Sequence, residues 1–135
     1  MNAIEIKRIV RWPDADPAGV IYHPRIFDYV SECEWELLQS IGIGWEELKD
    51  DYLLLRVHVE CNYKKSLKVG APITIRLKLE KLGRTSIKYK FEIFLDEAPD
   101  EIAVYGSVTS VVVRNGKASE IPAALRDALI SKTSF

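Results

Sequence analysis

The apolar residues of this 135-residue chain change their period once, and that change decides what the chain can fold into. From Pro24 onward Phe27, Val30, Cys33, Leu37, Leu38 and Ile41 recur at steps of three and four. They predict one long amphipathic helix, with Pro24 suited to its first position and Gly42 and Gly44 to its end. Past residue 52 the period becomes two. Leu53, Leu55, Val57 and Val59 alternate with Arg56, His58 and Glu60, all three polar residues facing one side. Ile73, Ile75, Leu77 and Leu79 alternate with Thr74, Arg76, Lys78 and Glu80; Ile87, Tyr89, Phe91, Ile93 and Leu95 alternate with Lys88, Lys90 and Glu92. Each run predicts a strand with one buried face. Residues 102–113 are apolar in both phases and predict a central strand covered on both sides. A weaker β-branched run from Ile4 to Arg11 predicts a first strand, stopped by the Pro13 to Gly19 loop. A short helical turn is expected around Trp45 to Leu48, a turn at Asn115-Gly116, and a short helix from Pro122 to Ile130.

The turns between the later strands are only a few residues long, at Lys68 to Pro72, Lys81 to Arg84 and Asp96 to Asp100. Connections of that length permit hairpins and exclude helical crossovers, so a doubly wound parallel sheet and nucleotide binding by that route are excluded. An α+β domain follows, one antiparallel five-stranded sheet with one long helix on one side. The length fits a single domain over residues 1–135. No apolar stretch approaches the ~20 residues of a membrane span, and the start lacks an apolar signal segment, so a cytoplasmic protein is expected. Cys33 and Cys61 form no metal-ligand spacing, and neither a disulfide nor a metal is expected.

A net charge of -1 argues against a nucleic-acid partner, but the charge is unevenly spread. Residues 1–55 hold 11 acids and 5 bases (-6), residues 56–90 hold 2 acids and 10 bases (+8), and residues 91–135 hold 7 acids and 4 bases (-3). The basic middle third is explained by an outer sheet face kept soluble by lysines, with some of its cations also able to meet phosphates.

Chemistry is expected in residues 12–24, an acidic Pro/Gly loop running into the start of the long helix. The first N–H groups of a helix have no internal partners and carry the positive end of its dipole, so they can stabilise an oxygen that becomes negative. A carboxylate beside them can attack a carbonyl carbon or activate water against it. Asp16 lies seven residues before His23, and Gly19 lets the chain turn back between them. The plainer role for such an aspartate is to close a turn or cap the helix.

The run Asp16-Pro17-Ala18-Gly19-Val20-Ile21-Tyr22-His23-Pro24, followed by Phe27, resembles the signature of the hotdog-fold acyl-CoA thioesterases. The similarity is to the branch of 4-hydroxybenzoyl-CoA thioesterase and its Tol-Pal-associated relatives, and the order of elements extends it over nearly the whole chain. The resemblance implies a hotdog fold, a sheet wrapped around the long helix, and hydrolysis of an acyl-CoA to free acid and CoA without a cofactor. It implies that Asp16 is the essential carboxylate, as nucleophile or general base, and that the backbone N–H near His23 holds the thioester carbonyl. His23 would carry a proton or only orient substrate. Gly19, Tyr22 and His58 would meet the substrate, although Tyr22 fits the core better and His58 a polar sheet face. Lys81, Arg84 and Ser86, on the turn before the fourth strand, would meet the CoA phosphates. Because the sites of the family lie between subunits, a homodimer joined edge to edge, or a homotetramer, is implied. A second hotdog branch uses a glutamate on the central helix; Glu32, Glu34 and Glu36 lack its surrounding pattern and are read as structural. The alternatives are a hydratase or dehydratase of acyl thioesters, which needs a histidine–acid pair, and a non-catalytic acyl-CoA-binding protein.

Overall fold

The computed structural model describes residues 3–44, 46 and 52–133. Strand β1 (Ala3–Ile9) leads through the loop to helix α1 (Ile26–Ser40), and β2 (Leu53–Tyr63), β3 (Pro72–Leu82), β4 (Ser86–Leu95) and β5 (Ile102–Arg114) follow. A two-residue β6 (Lys117–Ala118) and helix α2 (Ala123–Thr133) complete the chain. The helical turn expected around Trp45 to Leu48 lies outside the described residues, apart from Glu46.

The strands form one antiparallel sheet in the order β1-β3-β4-β5-β2, with β6 paired to the end of β5. The β5–β6 turn uses Asn115 and Gly116 at positive φ (52° and 76°), the conformation that an Asn-Gly pair accepts most readily. The curled sheet wraps α1, and this is the expected hotdog fold. Helix α1 buries Ile26, Tyr29, Val30, Cys33, Leu37 and Leu38 against Ile73, Ile75, Leu77, Tyr89, Phe91 and Val108. Removing each large apolar side chain from water is worth roughly 2 kcal/mol, which holds α1 in place without any side-chain cap at its start. Pro24 does sit at the helix entrance, in a 3₁₀ turn (His23–Arg25) that runs directly into α1.

Two details depart from the period-two reading. On β2, pairing shifts between Arg56 and His58, so Val57 is an extra residue. Before this bulge Leu53 and Leu55 lie opposite Val113 and Val111; after it Val59 and Tyr63 lie opposite the buried Val108 and Val104. Arg56 therefore points toward α1 and His58 away from it, which overturns the placement of Arg56, His58 and Glu60 on one side. A bulge of this kind inverts the alternation of faces, which a constant period cannot reveal. Leu53, Leu55, Val57 and Val59 all remain about half exposed, because β2 is an edge strand with a partner only on its β5 side. Strand β5 is buried on the helix side, while Tyr105, Thr109, Val111 and Val113 on the other face are only half buried. Its outer cover is thus partial.

The surplus cations of the middle third are largely paired across the sheet and to neighbouring loops. Arg76 meets Glu5 at 2.7 Å, Lys88 meets Glu80 at 3.2 Å, and Lys65 meets Glu101. Arg56 reaches Glu34 on α1 at 2.9 Å and Ser110 at 3.0 Å. Among the described residues no helix is long and apolar enough to cross a membrane.

Candidate active site

The acidic loop is a tight double-backed segment. Asp14 closes a 3₁₀ turn (Trp12–Asp14), Ala15 pairs with Ile21, and the Asp16 N–H donates to Val20 O at 2.9 Å. The chain reverses between them at Gly19, whose φ of +80° explains the glycine there. Gly19 N–H donates to Asp16 O at 3.0 Å, and Asp16 Oδ1 accepts the Ala18 N–H at 2.8 Å. This is the turn-closing role that such an aspartate takes by default, and it leaves Oδ2 without a protein hydrogen bond among the described residues. The loop is anchored on the other side by Ile21 N–H to Leu67 O (2.8 Å) and Val69 N–H to Gly19 O (3.0 Å).

At the helix entrance the backbone donors can be accounted for one by one. Tyr22 N–H donates to Asp14 O at 2.7 Å, Pro24 has no N–H, and Arg25 N–H donates to Tyr22 O at 2.8 Å. Ile26 N–H donates to His23 O and Pro24 O. The remaining donor is the N–H of His23, which has no acceptor among the described residues. It sits at the positive end of α1, seven residues after Asp16 in a loop whose two legs are hydrogen-bonded together. Such a donor can hold a carbonyl oxygen as its carbon is attacked.

Sequence reasoning missed Asp14 and Tyr29. The Asp14 side chain is only 5% exposed, and its Oδ2 accepts from Tyr29 Oη and from Arg11 Nε, both at 2.8 Å. Tyr29 Oη in turn accepts the Arg11 backbone N–H at 3.1 Å. Burial disfavours the Asp14 anion, but the hydrogen bonds from Tyr29 and Arg11 and the charges of Arg11 and Arg25 outweigh it, so its pKa lies below the ordinary 3.8. Burial raises the pKa of the Tyr29 hydroxyl, which stays a neutral donor. The only available signal was a second acid two residues before Asp16. Nothing local says which of the two is buried.

The other expected site residues are scattered. The His23 and Tyr22 rings are exposed and lean on each other at 5.2 Å, so Tyr22 lies outside the core. His58 is on the outer sheet face beside Glu60, 3.7 Å away, and nothing here brings it toward Asp16. Lys81, Arg84 and Ser86 lie at the far end of β3: its 11 residues span about 33 Å from Pro72, which adjoins the acidic loop, to Leu82. Arg84 is exposed and meets Glu120 at 3.3 Å, while Arg126 of α2 donates to Gly83 O. Within one chain the turn and the acidic loop do not form a common site.

A curled antiparallel sheet wrapped around one long helix, with an acidic loop running into the start of that helix, is the architecture of a hotdog domain. The chain belongs to the thioesterase-like superfamily, whose family model matches residues 10–129, and it is a thioester hydrolase. It is 29% identical over 125 residues to an Aquifex aeolicus protein provisionally named an esterase, covering 91% of this chain and 94% of that one. It is 32% identical over 96 residues to a 1,4-dihydroxy-2-naphthoyl-CoA hydrolase of Prochlorococcus marinus, covering 64% and 62%. The crystal structure of a 1,4-dihydroxy-2-naphthoyl-CoA thioesterase from Synechocystis superposes with a TM-score of 0.86 at 18% identity, covering 94% and 95%, a likeness of fold.

Proposed function

We propose that this protein hydrolyses an acyl-CoA thioester to a free acid and CoA, with Asp16 supplying the reactive carboxylate and the His23 N–H the carbonyl-holding donor. The observation that carries this reading is that the His23 N–H and Asp16 Oδ2 are each left without a partner among the described residues, on opposite legs of one short, hydrogen-bonded loop. Either Asp16 attacks the thioester carbon, expelling the CoA thiolate and leaving an anhydride that water cleaves, or it takes a proton from the water that attacks. In both routes negative charge grows on the carbonyl oxygen, where the N–H acts. His23 also offers an exposed imidazole to the leaving thiolate or to water.

The acyl group is proposed to be aromatic. The 1,4-dihydroxy-2-naphthoyl-CoA hydrolases named above act on such a ring, and here Tyr22 and Trp12, 51% and 83% exposed, flank the loop as an apolar rim. A rim this open favours a second subunit over it. Strand β2 leaves half-exposed apolar residues on an unpaired edge, and a homodimer joining two sheets there would cover them. It would also let Lys81, Arg84 and Ser86 of one chain serve the CoA phosphates at the Asp16 of the other, resolving their separation of about 33 Å along β3.

The test is thiol release from 4-hydroxybenzoyl-CoA, benzoyl-CoA and butanoyl-CoA by the wild type and by Asp16→Asn, with folding and oligomer size measured for both. We expect the folded variant to lose on the order of 10³-fold in kcat, as removal of an essential base or nucleophile does. An Asp16→Asn enzyme as fast as wild type overturns the role of Asp16; intact thioesters with the wild type overturn hydrolysis of this class.

A further inference from the structure

We propose that Asp14 and Tyr29 are positioning residues of this site: a buried clamp that sets the Asp16 carboxylate against the His23 N–H. This deepens the hydrolytic reading above and rests on it. The acidic loop closes on itself through Ala15 and Ile21 and is anchored to residues 67–69, but those bonds leave its placement relative to α1 undefined. Asp14 supplies that placement twice. Its backbone oxygen accepts the Tyr22 N–H at 2.7 Å, which uses up the donor next to His23. Its carboxylate accepts from Tyr29 Oη at 2.8 Å, and Tyr29 lies fully buried on the first turn of α1, one turn beyond the entrance.

The same carboxylate is held from the solvent side by Arg11 Nε at 2.8 Å, and Arg25 Nε stands 3.9 Å from Oδ1. Tyr29 Oη closes the ring of contacts by accepting the Arg11 N–H. The anion thus has partners on β1's exit, on the helix entrance and on α1 itself, three pieces that must keep their spacing if residue 16 is to face residue 23. A carboxylate nearly out of water is costly unless fully paired, so burying one here makes sense only where the position of its partners matters. Asp14 is itself shut away from the substrate: its side chain is buried, Tyr29 and Arg11 occupy Oδ2, and Arg25 stands beside Oδ1. It acts through Asp16, and small displacements of a reacting group are enough to slow a reaction by an order of magnitude or two.

The experiment compares Asp14→Asn and Tyr29→Phe with wild type on the best-hydrolysed member of the 4-hydroxybenzoyl-CoA, benzoyl-CoA and butanoyl-CoA panel, below the melting temperature of every variant. Each is then combined with Asp16→Asn. The clamp predicts a fall in kcat of about tenfold or more for each single variant, with KM changed by less than about threefold. It also predicts less than about a twofold further loss when Asp14→Asn is added to Asp16→Asn. Tyr29→Phe removes one oxygen and keeps the buried ring, so it carries the test if Asp14→Asn does not fold. A lowered Tm with kcat intact assigns Asp14 and Tyr29 to stability alone and overturns the proposal. So do losses that multiply in full with Asp16→Asn. If Asp16→Asn is itself as active as wild type, the reading of Asp16 has failed, and that result is separate from either of these.

Discussion

Gly106 on β5 offers a test of how tightly the sheet must close beneath the site. It pairs with Cys61 of β2 and Phe91 of β4 inside a regular strand, and no positive φ requires a glycine there. The need is spatial. A Cβ at residue 106 would stand 2.0 Å from the backbone oxygen of Glu60 and 2.8 Å from two ring carbons of Phe91. Neither neighbour can yield easily: one is the main chain of the adjacent strand, and the other is fully buried and stacked edge-on against Phe27 of α1, with centroids 6.1 Å apart. Overpacking a core costs about 1–3 kcal/mol when side chains can shift, and here backbone must move, so the upper end applies. The gain from replacing a strand glycine by alanine, about 0.5–1 kcal/mol, offsets only part of it. Gly106→Ala should therefore lose about 2 kcal/mol net, a fall in Tm of roughly 7 °C for a domain of this size. Thermal melts followed by circular dichroism, with urea midpoints alongside, measure it. A Tm within about 3 °C of wild type would show that β2 and β5 separate freely and would refute the reasoning.

Two further outcomes follow from the titrating groups. Cys33 is sealed on the buried face of α1, and burial, aided by the negative charge of Glu36, pushes its thiol up to about 12. Native protein at pH 8 should therefore expose at most Cys61 to a disulfide reagent, and both thiols only in urea; two rapidly labelled thiols in the native state contradict the burial. For Asp14 the folded pKa lies below the ordinary 3.8, so the folded state binds fewer protons than the unfolded one between the two values. Its stabilising contribution is present above 3.8 and is lost as pH falls through the lower folded value. The urea midpoint of wild type should then drop more steeply in that acid window than that of Asp14→Asn, and parallel curves would count against the clamp.

The helix, the strands and the loop between β1 and α1 were legible because each is written in the spacing of neighbouring residues. A stripe from Phe27 to Ile41 and alternation from Ile73 to Leu95 need no knowledge of the rest of the molecule. The turn of the acidic loop was legible for the same reason: Asp16, Gly19 and His23 lie within eight residues, and a turn and a helix start are local events. The bulge at Val57 was not, since an extra residue shows only when β2 is laid against β5. Nor was the pairing of Glu34 on α1, which depends on Arg56 arriving from β2.

By itself the sequence determined the elements, their antiparallel connection and the place where an acid meets a helix entrance. These follow from side-chain period, turn chemistry and short connections, all of which act over a few residues. Only the tertiary structure decided which acid is buried and which is left to face solvent, because Asp14 and Asp16 differ in nothing but what stands opposite them. Tyr29, 15 residues further on, makes that choice by offering its hydroxyl to one of them. The structure also placed Arg84 at the end of β3 away from the loop, since a strand of 11 residues separates what sequence alone could assign to one site. Burial and pairing across a sheet are properties of the assembled surface, and they come into being only when distant segments close on each other.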